Sequence, residues 1–159
     1  PTPGPGQESV WDYPRPPAIE PTSRRIRVVY NDTTIADTTN AVRVLETSHP
    51  PVYYLPPADV ATEYLQREDR TTVCEFKGRA VYYTITVGSR SVQQGAWCYP
   101  NPVKRYQALK DHFAFYASKM DACYVDDEQV RAQEGDFYGG WITDDIVGPF
   151  KGGAGTMGW

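Results

Sequence analysis

Residues 79–99 read RAVYYTITVGSRSVQQGAWCY, and this stretch decides the fold class. Alternate positions from Ala80 to Thr86 form two faces of an extended chain, one aliphatic and aromatic and the other more polar. The spacing predicts two strands, Arg79 to Val87 and Val92 to Tyr99, joined by a tight turn at Gly88-Ser89. A pocket opening on the polar face is a reasonable expectation.

The same two-residue period recurs on both sides of this hairpin. Further strands are predicted at Ile26 to Tyr30, Thr34 to Asp37, Val42 to Thr47, Val52 to Leu55, Thr72 to Lys77, Ala122 to Val125 and Gln129 to Arg131. Turns at Asn31-Asp32 and Asp126-Asp127 join the first two and the last two of these into hairpins.

Two segments have helical spacing instead. One is a main helix, which begins after Asn101-Pro102 and repeats apolar side chains at steps of three and four residues. Those side chains are Tyr106, Leu109, Phe113, Tyr116 and Met120. A shorter helix is predicted from Pro57 to Gln66. The fold class is therefore mostly β (α+β), with antiparallel pairing and one main helix.

Proline and glycine mark the two ends of the chain. Seven of the fourteen prolines lie in the first 21 residues, and eight of the thirteen glycines fall between Gly135 and Gly158. Both ends are predicted to be extended arms that wrap the core, and Lys151 is expected to be solvated. The chain is interpreted as a single domain, 1–159, with a core at about 24–131 and arms at 1–23 and 132–159.

Charge and hydropathy exclude several classes of partner. The net charge is −4, and the densest basic group, Arg24, Arg25 and Arg27, has the alternation of a strand's outer face, so no nucleic acid is expected. No apolar run reaches the roughly twenty residues that span a bilayer, and the N-terminal residues do not resemble a signal peptide. A cytoplasmic protein that binds no membrane is expected, with an oligomer possible.

Metal and nucleophile patterns are weak in this chain. The three cysteines and two histidines show no CxxC, HxxxH or HExxH spacing, so no metal and no cofactor are expected. No GxSxG motif is present. Cys74 is the best candidate nucleophile, because Lys77 three residues later can favour its thiolate. The alternative is an inert buried thiol with Lys77 turned to water.

Polar residues among aromatics are denser than expected on neighbouring strands. Glu46, Cys74 and Lys77 accompany Tyr82, Trp97 and Tyr99. They are candidates for lining a groove. The alternative is that tyrosines simply suit strands and that Glu46 and Lys77 form a structural or surface ion pair.

Several short motifs occur in a consistent order over about residues 24–131. They are Ile35-Ala36-Asp37-Thr38, Val44-Leu45-Glu46-Thr47, Val52-Tyr53-Tyr54-Leu55-Pro56, Cys74-Glu75-Phe76-Lys77-Gly78, Ala96-Trp97-Cys98-Tyr99 and Phe113-Ala114-Phe115-Tyr116. Together these motifs resemble the domain of unknown function 427 family, and the long arms indicate a long-armed branch of it. The resemblance implies a β-tent or Mss4-like fold, in which two antiparallel sheets meet at an angle around a ligand groove.

The resemblance also guides the choice of site residues. Relatives of that fold hold zinc with two CxxC motifs, whereas Cys74-Glu75-Phe76-Lys77 is one cysteine short and Trp97-Cys98-Tyr99 offers no second pair, so a zinc-free protein is expected. The predicted ligand-binding residues are Glu46, Tyr54, Cys74, Lys77, Tyr82, Trp97 and Tyr99, with His49 and Tyr116 as second choices. The aromatic rings would stack on a ligand, and Lys77 would meet an anionic or carbonyl group.

Three functions remain open on the sequence. The first is a binding module for a small polar metabolite. The second is a small-molecule enzyme that uses Cys74 or Glu46 with Lys77, with its catalytic residues unknown beyond these candidates. The third is a structural or interaction protein that docks through its aromatic tails.

Overall fold

β-Structure dominates the computed structural model, which describes residues 2–135 and 137–159. In chain order the strands are β1 (Glu8–Ser9), β2 (Ala18–Pro21), β3 (Ile26–Tyr30), β4 (Thr33–Thr38), β5 (Val42–Leu45), β6 (Val52–Tyr54), β7 (Leu65–Cys74), β8 (Gly78–Val87), β9 (Arg90–Cys98), β10 (Phe113–Phe115), β11 (Ala122–Val125), β12 (Glu128–Gln129), β13 (Arg131–Ala132), β14 (Trp141–Ile142) and β15 (Ile146–Val147). The 3₁₀ segments are Val10–Asp12, Pro57–Asp59, Thr62–Tyr64, Lys104–Leu109 and Ala117–Lys119. The predicted mostly-β class is confirmed.

Three antiparallel sheets carry the architecture. Their strand orders are β10-β9-β8-β7, β12-β11-β3-β4 and β2-β5-β6. Two short pairs lie outside them: β13 with β14, and β1 with β15, which run parallel and join the two arms. In the N-terminal arm, β2 pairs along its whole length with β5.

The predicted hairpins form where the turn chemistry is local. Asn31 and Asp32 have φ of 48° and 58°, so both central residues of the β3–β4 turn are left-handed, as a two-residue hairpin of type I′ requires. Gly88, at φ 60°, opens the turn between β8 and β9. In the last hairpin β11 pairs with β12, but Arg131 leaves it and pairs with Ile142 across β13 and β14.

The predicted main helix from Tyr106 to Met120 is wrong. The chain there forms a 3₁₀ segment, the strand β10 and a second 3₁₀ turn, broken at Asp111 where φ is 60°. All three residues of β10 are buried, because the strand pairs with β9 and Phe113 also bridges to Leu55. The three- and four-residue spacing arises from buried residues of successive short elements. These residues are Tyr106 and Leu109 in the first 3₁₀ segment, Phe113 in β10, and Tyr116 and Met120 on either side of the second 3₁₀ turn.

The predicted helix from Pro57 to Gln66 is also wrong. Two 3₁₀ turns occupy its first part, and β7 has already begun at Leu65. Between the turns, Val60 bridges to Ala36, and the Ala61 amide donates to the Ile35 carbonyl at 2.8 Å. These hydrogen bonds to β4 hold the chain extended at the point where a helix would have to continue.

Two large clusters of buried side chains fill the fold. The main one includes Ile26, Phe115 and Trp141, so a residue of the C-terminal arm belongs to the central core. The second is unusually rich in aromatic residues and consists of Val42, Val44, Tyr54, Ala80, Tyr82, Trp97, Tyr99, Tyr106, Leu109, Ala114 and Tyr116. No helix within the described ranges is long and apolar enough to cross a bilayer.

Candidate functional site

A cavity of about 310 Å³ lies against the aromatic cluster. All seven predicted ligand-binding residues and both second choices line it, and they come from strands β6 to β9 and from the segments between strands. They are Glu46, His49, Tyr54, Cys74, Lys77, Tyr82, Trp97, Tyr99 and Tyr116. The structure therefore brings the predicted residues together around one space, and their role in binding stays a prediction.

The aromatic wall of the pocket is centred on Trp97. Its ring lies 4.5 Å from that of Tyr116 and 6.2 Å edge-on from that of Tyr54, measured between centroids. The indole Nε1 donates to the Tyr54 hydroxyl at 3.3 Å. Trp97 is only 7% exposed, so it serves the core and the pocket wall together.

The tyrosines of the wall keep their protons. Burial raises the pKa of Tyr54, of Tyr99 and of Tyr116. Tyr82 shares a hydrogen bond of 2.9 Å with the hydroxyl of Thr72, another residue of the lining. The wall therefore offers flat rings and neutral hydroxyls rather than negative charge.

His49 is held in one tautomer where the cavity is lined by polar residues, among them Glu46, Gln133 and Lys151. The Gln133 side chain is oriented by main-chain groups, since its Oε1 accepts from the Gly140 amide at 3.1 Å and its Nε2 donates to the Lys151 carbonyl at 2.7 Å. The same Nε2 lies 3.1 Å from His49 Nδ1. Because Nε2 can only donate, Nδ1 accepts and the imidazole proton sits on the other ring nitrogen. His49 is therefore neutral.

Glu46 faces two basic groups in the same part of the cavity. Its Oε2 lies 3.9 Å from Arg15 Nε and 3.9 Å from His49 Nε2. No ion pair joins Glu46 to Lys77 in the part of the chain that the structure describes, so the alternative of a structural Glu46–Lys77 pair does not form. Lys77 is instead buried, with 9% of its surface exposed, although it lies in the turn between β7 and β8.

Cys74 ends β7 and is half-buried against the aromatic cluster. Among residues 2–135 and 137–159, no hydrogen bond joins its thiol to His49 or Glu46. Cys98 and Cys123 are buried elsewhere, and the described residues contain no group of three or more His, Cys, Asp or Glu side chains arranged to hold a metal ion.

Sequence reasoning missed the wall that the C-terminal arm contributes. Gln133, Phe137, Tyr138, Gly139 and Lys151 all line the cavity. Lys151 is half-buried, and its Nζ donates to the Trp159 carbonyl at 3.1 Å, so the expectation of a solvated lysine is wrong. The one available signal was the aromatic and glycine content of the arm, which predicted wrapping but no particular contact.

Gly139 shows how closely this wall fits. A Cβ at this position would lie 2.9 Å from Trp97 Cζ3 and closer still to Cη2. Only a glycine lets the backbone rest on the indole at that distance. The C-terminal arm therefore closes one side of the pocket by direct contact with its central aromatic residue.

A family model described as a domain of unknown function, DUF427, matches residues 18–126 of the chain. The chain belongs to the DUF427 family. The match begins at β2 and contains all seven predicted ligand-binding residues, whereas the wall formed by residues 133–151 lies outside it. No curated protein matches the chain.

Because His49 is neutral in the folded state of this DUF427 protein, we expect the free energy of unfolding to depend on pH. Burial, together with the positive charges of Lys151, Arg15 and Lys77, lowers the pKa of His49 from 6.5 to about 4. Between these values the unfolded chain binds a proton that the folded chain does not, so stability is complete above pH 6.5 and declines as the pH falls. Denaturant unfolding should show a loss of about 2 kcal/mol between pH 7 and pH 5.

The second histidine of the chain provides the control. The pH-dependent loss should disappear in His49→Gln and persist in His112→Gln. Carboxylates held by ion pairs, such as Glu8 and Asp37, have lowered pKa values. Their contribution to stability is lost below pH 5, outside the range of pH 7 to pH 5 in which His49 acts. An unchanged slope in His49→Gln would mean that His49 is solvated and titrates as it does in the unfolded chain.

Proposed function

We propose that this protein is a binding module for a small molecule, and that its site is the cavity beside Trp97. The observation that carries the proposal is convergence: neutral hydroxyls, an acid, a neutral imidazole and a lysine meet flat aromatic rings around about 310 Å³. Small-molecule sites combine an apolar, aromatic lining with a few placed polar groups in this way, and their volumes begin near this value.

The entrance to the cavity supports the same conclusion. Val73 and Phe137 are 71% and 63% exposed, and both line the pocket. Large apolar side chains left in water at the rim of a concavity are typical of a surface that a ligand covers. We further propose that this cavity corresponds to the groove between the two sheets of a β-tent of the Mss4-like type.

Catalysis by Cys74 has less support. A thiol nucleophile needs a base within hydrogen-bond distance or a cation that lowers its pKa. Within the described residues, the Cys74 thiol donates to no base and makes no hydrogen bond to Lys77. The geometry therefore favours binding over a covalent mechanism.

Native mass spectrometry of gently purified protein tests the proposal. We expect the wild-type protein to retain a small mass that Cys74→Phe loses, because a phenyl ring at this half-buried position would occupy the cavity. Cys74→Ala is the matched control and should retain the mass, since it leaves the space open and removes the thiol. A bare wild-type protein, or retention by Cys74→Phe, would count against the pocket as the site.

A further inference from the structure

Lys77 occupies an unusual position for a lysine in a hairpin turn. It is the last of the three turn residues between β7 and β8, where a long charged side chain normally reaches into water. Its neighbour Glu75 is exposed, whereas Lys77 itself is about nine-tenths buried and lines the cavity. The side chain has turned inward.

The backbone holds Lys77 in this orientation. Gly78, at φ 116°, provides a conformation that other residues rarely adopt directly after it. The Lys77 carbonyl accepts a hydrogen bond of 2.9 Å from the Val103 amide. The backbone of the turn thus orients the lysine inward, and no ion pair of its ammonium with a described residue does so.

The ammonium group of Lys77 has no acidic partner among the described residues. Across residues 2–135 and 137–159, no ion pair and no side-chain hydrogen bond involves its Nζ. Of the two carboxylates that line the cavity, Glu46 is directed to Arg15 and His49, and Glu75 is exposed in the turn. The Lys77 side chain is about nine-tenths buried and lines the cavity, and none of the described residues supplies a counter-charge, so a bound anionic group can pair with its ammonium.

Other groups at this end of the pocket reinforce the positive charge. Lys151 also lines the cavity, and the positive charges of Lys151, Arg15 and Lys77 all act on His49. His49 carries its proton on Nε2, which makes it a neutral donor. In a protein of net charge −4, this end of the pocket is a local site for an anion.

From these observations we infer that the ligand carries an oxyanion, a carboxylate or a phosphate, which pairs with Lys77, and a flat ring that lies against the aromatic wall. The inference rests on the proposed binding function and adds the chemical class of the ligand. It excludes a neutral carbonyl as the group that Lys77 recognises.

Three probes with one common ring test the inference. They are 2-naphthoate, 2-naphthyl phosphate and 2-naphthamide, which differ in the head group alone. Binding to the full chain is followed by NMR through the Trp97 indole N–H signal, which Trp97→Phe identifies among the four tryptophans. We expect at least one of the anions to bind about tenfold more tightly than the amide, as a charge-assisted hydrogen bond provides. The order of the two anions distinguishes phosphate from carboxylate.

Variants of Lys77 show whether this lysine causes the preference for the anionic probes. Lys77→Met should remove the preference for the anion, Lys77→Arg should keep it, and Lys104→Met, at an exposed lysine away from the cavity, should leave it unchanged. Lys77→Met should also unfold at a temperature no lower than the wild type, because it removes a charge that has no partner among the described residues. A preference for the anion that survives in Lys77→Met would overturn the inference.

The remaining outcomes separate the inference from the proposed function. If the amide moves the Trp97 signal and binds as tightly as both anions, the oxyanion is wrong and the pocket remains a binding site. If none of the three probes moves the Trp97 signal up to its solubility limit, both the oxyanion and the open pocket are wrong.

Discussion

Removal of residues 135–159 is expected to abolish the cooperative unfolding of the domain. Trp141 is 1% exposed within the main core, and its ring lies 5.2 Å from that of Tyr53. Its indole donates to the Phe115 carbonyl at 3.0 Å, and its amide donates to the Pro51 carbonyl at 2.9 Å. Losing a buried tryptophan costs about 3–5 kcal/mol, and a whole domain is stable by only about 5–15 kcal/mol.

Two point variants show whether one side chain carries this effect. Trp141→Ala should lower the free energy of unfolding by about 3–5 kcal/mol, whereas Phe137→Ala, at an aromatic residue 63% exposed in the same arm, should change it little. Both are measured by denaturant titration at neutral pH.

A truncated chain that still unfolds cooperatively would contradict this account. It would show that the arm is an appendage, and the hypothesis of an interaction protein with docking tails would gain support. The contacts of Trp141 with its own core and the pairing of β15 with β1 favour the opposite result.

Gly139→Ala is expected to destabilise the protein and to open the pocket. The new methyl group would overlap the Trp97 indole, and that ring cannot retreat because Tyr116 and Tyr54 pack against it. The arm must move instead, at a cost of about 3 kcal/mol, near the upper end of what an added methyl group costs in a packed site. The small mass retained by the wild type should be lost as well.

Gly158→Ala is the matched control in the same arm, because a Cβ there meets nothing within 4 Å. Its stability and retained mass should equal those of the wild type. Equal behaviour of Gly139→Ala and Gly158→Ala would mean that the arm does not rest on Trp97.

The strands were predictable where the chain carries its own turn chemistry. Asn31-Asp32 and Gly88-Ser89 set the two clearest hairpins, and alternation placed the strands around them. The absence of a helix from Tyr106 to Met120 was not predictable, because spacing cannot distinguish one buried helix face from buried residues that belong to several short elements in succession. The hydrogen bonds that decide between them join β10 to β9 and Phe113 to Leu55, far apart in sequence.

The candidate site was predictable on its strand side and not on its arm side. Tyr82 and Trp97 lie on the strands β8 and β9, and Tyr99 directly follows β9, so their meeting around one cavity was within reach of the sequence. Gln133 and Gly139 reach the cavity through tertiary contacts that no local pattern encodes. The inward orientation of Lys77 depends on a turn conformation and on a hydrogen bond from the Val103 amide. The sequence therefore could not show whether Lys77 points into the pocket or into solvent.

A crystal structure of gently purified protein would show the occupant of the cavity and its contacts together. We expect continuous non-protein density in the cavity, with an oxygen-bearing group within hydrogen-bond distance of Lys77 Nζ and a flat portion against Trp97 and Tyr116. Discrete water molecules alone in the cavity, with Lys77 turned out to solvent, would contradict this expectation.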